Sequence, residues 1–144
     1  MTVTFFGHGD APQQIFADVK MVLKNLIEEE GACNFYVGNH GNFDCIVQNV
    51  LNELRVDYPY IRCFLVLSYM PQSPEKGRKR ILETILPYEV ATALPRFAIS
   101  KRNEWMLAHS DTVVTYVKRS FGGAEKYKRM AIGKGKRVIE LANA

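Results

Sequence analysis

The sequence predicts a three-layer α/β/α domain built on a mainly parallel sheet of about five strands. Three observations predict it. Short β-branched and aromatic runs alternate with longer segments whose apolar residues recur every three or four positions. Glycine-bearing turns fall where short runs end, at Gly7-His8-Gly9-Asp10, Gly38-Asn39-His40-Gly41-Asn42 and Ser120-Phe121-Gly122-Gly123. The stretch Ile61 to Leu67 is almost unbroken in its apolar character, as a strand covered on both faces of a parallel sheet requires. Strands that alternate with helices imply parallel pairing and right-handed crossovers, the arrangement of Rossmann-like folds.

The elements follow in order. Val3 to Phe6 reads as a first strand. The helix after it carries Ile15, Phe16, Val19, Val22, Leu23, Leu26 and Ile27, with Asp10 as N-cap, Pro12 in the first turn and Gly31 as the stop. Phe35 to Val37 is a second strand, and the next helix places Ile46, Val47, Val50, Leu51 and Leu54 on one face. After the third strand, residues 68–95 contain Pro71, Pro74, Pro87 and Pro95 and the basic cluster Lys76 to Arg80. They read as a long surface excursion with a short helix or an extra strand near Arg80 to Leu86, and such excursions often serve as binding loops. Ala98 to Ser110 predicts a helix, Thr112 to Val117 a strand, Ala124 to Ala131 a helix and Arg137 to Leu141 a last strand.

The 144 residues suit one domain, expected over 1–144. A hydrophobic fraction of 47% and a charged fraction of 24% exclude a disordered chain. The net charge of +4 suits anionic ligands, but the basic residues are not gathered on one element, which argues against a nucleic-acid surface. Cys33, Cys45 and Cys63 are scattered without a CxxC pair, and read as reduced core thiols of a cytoplasmic protein rather than disulfide or zinc ligands. The N-terminal segment lacks the features of a signal peptide. No run approaches the roughly 20 apolar residues of a membrane span.

In an open parallel sheet, ligands bind beyond the carboxyl ends of the strands, where the strand order reverses. Each of the three turns feeds a helix, whose N-terminal N–H groups and positive dipole end attract anions. Gly7, Gly9, Gly38, Gly41, Gly122 and Gly123, with Asn39, Ser120 and Ala124 beside them, are therefore candidates to line a phosphate site. The alternative is that glycine there only meets a backbone requirement of the turn. His8 and His40 could bond a phosphate or act as acid and base, or simply face solvent. Metal binding by this pair would need Asp10 or Asp44, and nothing in the spacing demands it, so neither metal nor cofactor is expected. Asp44 could accept hydrogen bonds from ribose hydroxyls or only complement the helix dipole.

The segment Arg96 to Met106 is the most informative. On a helix, Arg96, Ser100 and Asn103 lie close together, and Ile99, Arg102 and Met106 form an adjacent stripe. An arginine beside an apolar stripe either snorkels to water or grips an anion with its guanidinium fork. Phe97 and Trp105 read as core residues, with base stacking as the alternative. Tyr69 and Tyr116, at strand ends, could flank a ligand, and packing explains them as easily.

The motifs F-F-G-H at the first turn, F-Y-V-G-N-H-G-N-F-D at the second, R-F-A-I-S-K-R-N-E-W-M before the fourth strand and D-T-V-V-T-Y-V-K-R-S-F-G-G-A after it resemble the SLOG superfamily. In particular they are similar to small SLOG proteins of uncharacterised role from Gram-positive bacteria and their mobile elements. The resemblance covers nearly the whole chain. It implies a Rossmann-like fold, a bacterial origin and the binding or sensing of a nucleotide or nucleotide-derived molecule. Relatives of this kind often dimerise, so a homodimer is part of the same expectation. The superfamily includes the Lonely Guy phosphoribohydrolases and the DNA-processing protein A fold. The former carry an Arg-Lys pair, a nearby Met, an Asp before the strand and a P-G-G-x-G-T-x-x-E loop. Arg102, Met106 and Asp111 fall at the corresponding spacing, whereas Asn103 replaces the Lys and the loop proline is missing. A gapless alignment puts Glu125 at the catalytic glutamate; aligning Gly123-Ala124 with Gly-Thr puts Tyr127 there instead.

Three functions are thus in play. The first is a binding or sensing domain for a phosphate-bearing nucleotide. The second is an N-glycosidase acting on nucleoside monophosphates, with Arg102 and Glu125 as catalytic residues. The third is single-stranded nucleic-acid binding through the basic balance and the Lys76 to Arg80 cluster.

Overall fold

Alternating residues of the first strand go to opposite sides of the sheet, and this sorting organises the whole chain. Val3 and Phe5 join one apolar cluster while Phe6 joins another, and Val114 and Val113 divide in the same way. In the computed structural model, which describes residues 1–70 and 82–142, six strands form one sheet: β1 (Thr2–Gly7), β2 (Asn34–Val37), β3 (Arg62–Val66), β4 (Glu83–Ile85), β5 (Thr112–Tyr116) and β6 (Arg137–Glu140). Their order is β4-β3-β2-β1-β5-β6, and every pair is parallel. The helices are α1 (Phe16–Glu30), α2 (Asn42–Asp57), the single turn α3 (Tyr88–Ala91), α4 (Ala98–Ala108) and α5 (Gly123–Gly133). None of them is long and apolar enough to cross a membrane.

Leu23 and Leu26 of α1 and Ile46, Leu51 and Leu54 of α2 pack on one face of the sheet against Phe5 and Phe35. Met106 and Leu107 of α4 and Tyr127 and Ala131 of α5 pack on the other, against Phe6, Val66 and Val113. The result is a Rossmann-like three-layer sandwich. The chain leaves β1 toward β2 on one side and enters β5 on the other, so the strand order reverses between β1 and β5. That reversal opens the crevice in which a doubly wound sheet offers a site.

Some expectations need correction. The sheet of about five strands is present, and the described residues add the extra strand allowed near Arg80 to Leu86: Glu83–Ile85, within the excursion, pairs with Phe64 to Val66 of β3. Three residues with few apolar side chains give little sequence signal, and tertiary pairing decides such a strand. Phe64 and Leu65 stay half-buried instead of being enclosed on both faces. Asp10 does not cap α1. A 3₁₀ turn at Gln13–Ile15 intervenes, and no side chain caps either segment. Gly31 does end α1, left-handed at φ 74°, with its N–H bonded to the Leu26 carbonyl. Of the three thiols only Cys63 is buried; Cys33 is half-buried and Cys45 exposed. The Lys76 to Arg80 cluster lies outside the described residues.

Phe43 joins packing to the site. It is fully buried, stacks on Tyr116 with ring centroids 6.3 Å apart, and fills the space where Gly7 would carry a Cβ, which would stand 2.3 Å from its ring. Replacing Phe43 with alanine should cost about 3–5 kcal/mol, read from urea denaturation midpoints. A loss below about 1 kcal/mol would mean that the ring does not hold α2 to the end of β1.

Candidate functional site

Parallel pairing of β1, β2 and β5 brings the three glycine turns to one rim of the sheet. Their roles then diverge. A Cβ on Gly41 would stand 2.6 Å from the Gly9 Cα, and the Asn42 N–H donates to the Gly9 carbonyl at 2.9 Å, so the first two turns are docked backbone to backbone. The space beside Gly38 is taken by Asp44 Oδ2 and the Arg102 guanidinium, 2.9 and 3.2 Å from where its Cβ would be. At Gly122 and Gly123 a Cβ would meet nothing within 4 Å. Gly122 has φ 98° and so favours glycine for its conformation; Gly123 has neither that reason nor a packing reason. Only the third turn is open.

That turn is held from behind. The Lys118 and Arg119 N–H groups donate to His8 Nε2 at 2.8 and 3.2 Å, and the Val117 N–H donates to Glu140 Oε2 at 2.9 Å. The Arg119 guanidinium grips Asp10 with two hydrogen bonds of 2.9 and 2.8 Å, pulling that carboxyl down to about 2. His8 is 6% exposed, and burial with the nearby Arg119 charge lowers its pKa. Two incoming amides require an unprotonated Nε2. His8 thus does not face solvent, and its Nε2 is fully used as acceptor; it is a brace between the first and third turns, with Nδ1–H as its remaining donor.

A cavity of about 280 Å³ lies between α4 and α5 above the end of β1, lined among others by Gly7, Asp44, Arg102, Asn103, Gly123 and Tyr127. Arg102 is 4% exposed. Its Nε and Nη2 donate to Asn103 Oδ1 at 3.3 and 3.2 Å, and among the described residues no carboxylate pairs with it directly. Every side-chain nitrogen or oxygen sealed from solvent in the described residues has a hydrogen-bond partner. The partnerless Nη1 of Arg102 is therefore not sealed from solvent, and Arg102 lines this cavity. The same reasoning applies to the hydroxyl of Tyr127, a residue only 4% exposed. Arginine stays protonated in proteins. Burial opposes that charge, and Asp44 and Tyr127 partly offset the effect.

Asp44 Oδ2 accepts the His40 N–H at 3.0 Å, which fixes the second turn, and its other oxygen is left to the cavity. Burial pushes Asp44 up to about 6 against the pull of the His40 amide and the Arg102 charge.

The remaining candidates are distributed unevenly. Ser100, Asn103, Gly123 and Ala124 line the same cavity as Arg102. Gly9, Gly122 and His8 border a neighbouring hollow of about 420 Å³ that shares Gly7, His40, Gly123 and Ala124 with it. Asn39 lines a third, larger hollow. Arg96 is not brought together with Ser100 and Asn103: it sits in the Pro95–Phe97 turn, with its guanidinium 4.8 Å from the Phe97 ring centroid. Phe97 is correspondingly 46% exposed, not core. Ser120 is exposed and lines none of these three hollows. Glu125 is paired with Arg129 one helical turn on and also lines none of them. Lys126, absent from the sequence candidates, lines the central cavity, with Nζ 5.4 Å from the Tyr127 ring centroid. A lysine three residues into a helix that follows a Gly-Gly turn was the available signal. His40 lines all three hollows. Among the described residues, no group of three or more His, Cys, Asp or Glu side chains could hold a metal ion.

No protein-family model matches the chain, and no curated protein matches it.

The elevation of Asp44 has a defined consequence for stability. Unfolded, an aspartate titrates near 3.9. Between about pH 4 and 6 the folded protein keeps a proton that the unfolded chain has lost, so this group's contribution falls as pH rises through that window. Two units of elevation correspond to about 3 kcal/mol. Asp44→Asn should remove this decline and gain relative stability at pH 7.5 over pH 4. Parallel urea midpoints for the two proteins at both pH values would show instead that Asp44 titrates normally.

Proposed function

We propose that this chain is a SLOG-type domain of a cytoplasmic bacterial protein that binds or senses a nucleotide or nucleotide-derived phosphate ligand at the carboxyl edge of the sheet. The observation that carries this reading is Arg102: a guanidinium almost sealed from solvent, without a directly paired carboxylate among the described residues, with Nη1 lacking a hydrogen-bond partner, on the wall of a cavity that also reaches the N-terminus of α5. Buried charges are ordinarily paired or hydrogen-bonded to satisfaction. An anion in this cavity would complete the set. The phosphate would accept from the first N–H groups of α5, which no side chain caps, and from Arg102. Gly123, with open space where a Cβ would be, allows the close approach. Asp44, across the cavity, suits ribose hydroxyls.

Binding is favoured over N-glycosidase action because of Glu125. An acid must come within hydrogen-bond reach of the proton it transfers. The carboxylate of Glu125 is engaged by Arg129 and stands outside the cavity lining.

A panel of nucleoside monophosphates, cyclic nucleotides and ADP-ribose should contain a ligand that stabilises the protein by about 2.7 kcal/mol at 100 times its Kd. Arg102→Gln should weaken that binding about 10- to 100-fold. Gly123→Val should abolish it while shifting the unfolding midpoint by no more than about 0.5 kcal/mol, as for an unhindered surface position. Absence of stabilisation by every compound, or an unchanged Kd in both variants, would refute the phosphate site.

A further inference from the structure

Arg102 borders a second space as well. On the other side of α4 lies a hollow of about 690 Å³, which shares Arg102, His40 and Ile99 with the central cavity. Its walls are mainly apolar: Leu86, Val90, Ala91 and Ala93 around α3, and Pro95 and Ala98 leading into α4. Tyr69 and Met70 stand at its margin, 66% and 67% exposed. Among the described residues, its polar side chains apart from the shared Arg102 and His40 are those of Asn39, Ser68 and Tyr69, and none of these carries a charge at neutral pH.

The two spaces differ in what they can hold. The central cavity, at about 280 Å³, combines a fixed positive charge with a helix N-terminus but falls just below the ~300–1,000 Å³ typical of small-molecule sites. The second is large and apolar with a few neutral donors and acceptors, which matches a flat heterocycle with two apolar faces and a polar edge. Among the described residues, it offers no further cation for a second phosphate.

Building on the phosphate seat proposed above, we infer that the second hollow receives the nucleobase of the same ligand, so that a nucleoside 5′-phosphate lies across Arg102 with its phosphate toward α5 and its base toward α3. Asn39 and Ser68 then read the edge of the base, and Tyr69 packs on its face. This orientation makes the base a source of affinity independent of the phosphate, since stacking on an aromatic ring contributes about 5- to 100-fold per base.

Calorimetry with inorganic phosphate, ribose 5-phosphate and AMP separates the two parts. The wild-type protein should bind AMP at least about 5-fold more tightly than ribose 5-phosphate. Ala91→Trp, at an exposed position on the wall of the hollow, and Tyr69→Ala should each erase that margin while leaving the Kd for ribose 5-phosphate within about twofold. Ala93→Trp provides a second obstruction should one variant fold poorly. Equal affinity for AMP and ribose 5-phosphate in the wild type, or a margin that survives all the substitutions, would overturn the placement of the base while leaving the phosphate seat intact. Failure of all three compounds to bind would overturn the placement of a nucleoside 5′-phosphate, and failure of the wider nucleotide panel as well would overturn the phosphate seat.

Discussion

The ring of His8 holds this site together. It stands at the end of β1, and its unprotonated Nε2 takes two backbone amides from the turn that follows β5. These strands are neighbours, and between them the winding of the sheet reverses. The chain on either side of a reversal runs to opposite faces, so no helix bridges the gap, and a direct cross-link must fix the spacing of its walls. Glu140 adds a second hold on Val117, and the Arg119–Asp10 pair closes the outer edge. With residues 117–119 fixed behind, the segment Phe121 to Ala124 presents its far side to the crevice.

The electrostatics of the crevice follow from burial. Taking a guanidinium out of water is costly unless its donors are satisfied. Arg102 is satisfied in part, by the neighbouring Asn103 amide oxygen, and faces Asp44 across the space above Gly38. Asp44 is itself occupied by the His40 amide, and burial raises it to about 6, so it takes up a proton as the pH falls toward that value. The guanidinium and this carboxyl stand beside the same glycine, and the positive charge is left only partly balanced.

Much of this was legible in the residues. The alternation of short β-branched runs with amphipathic helices gave the parallel sheet and its layers, because both periods arise from the direction in which side chains leave the backbone. The anomaly of Arg102 was visible as a cation in an apolar stripe. Glu83–Ile85 was not visible as a definite strand, since three residues carry almost no periodicity. Arg96 looked like a neighbour of Ser100 because the helix was taken to include it; the chain instead enters α4 through a 3₁₀ turn at Pro95, which swings that side chain outward.

By itself, the sequence determined the fold class, the location of three glycine turns at strand ends and the residues able to carry charge there. Only the tertiary structure decided which turn is open. On paper the three were equivalent, each a glycine corner before a helix. In space, Gly9 and Gly41 touch each other, Phe43 fills the place beside Gly7, and Asp44 and Arg102 fill the place beside Gly38. The space beside Gly123 is left free. Such differences depend on how distant segments approach one another, a quantity that local pattern does not encode, whereas the direction of each side chain is set within a few bonds of its own backbone.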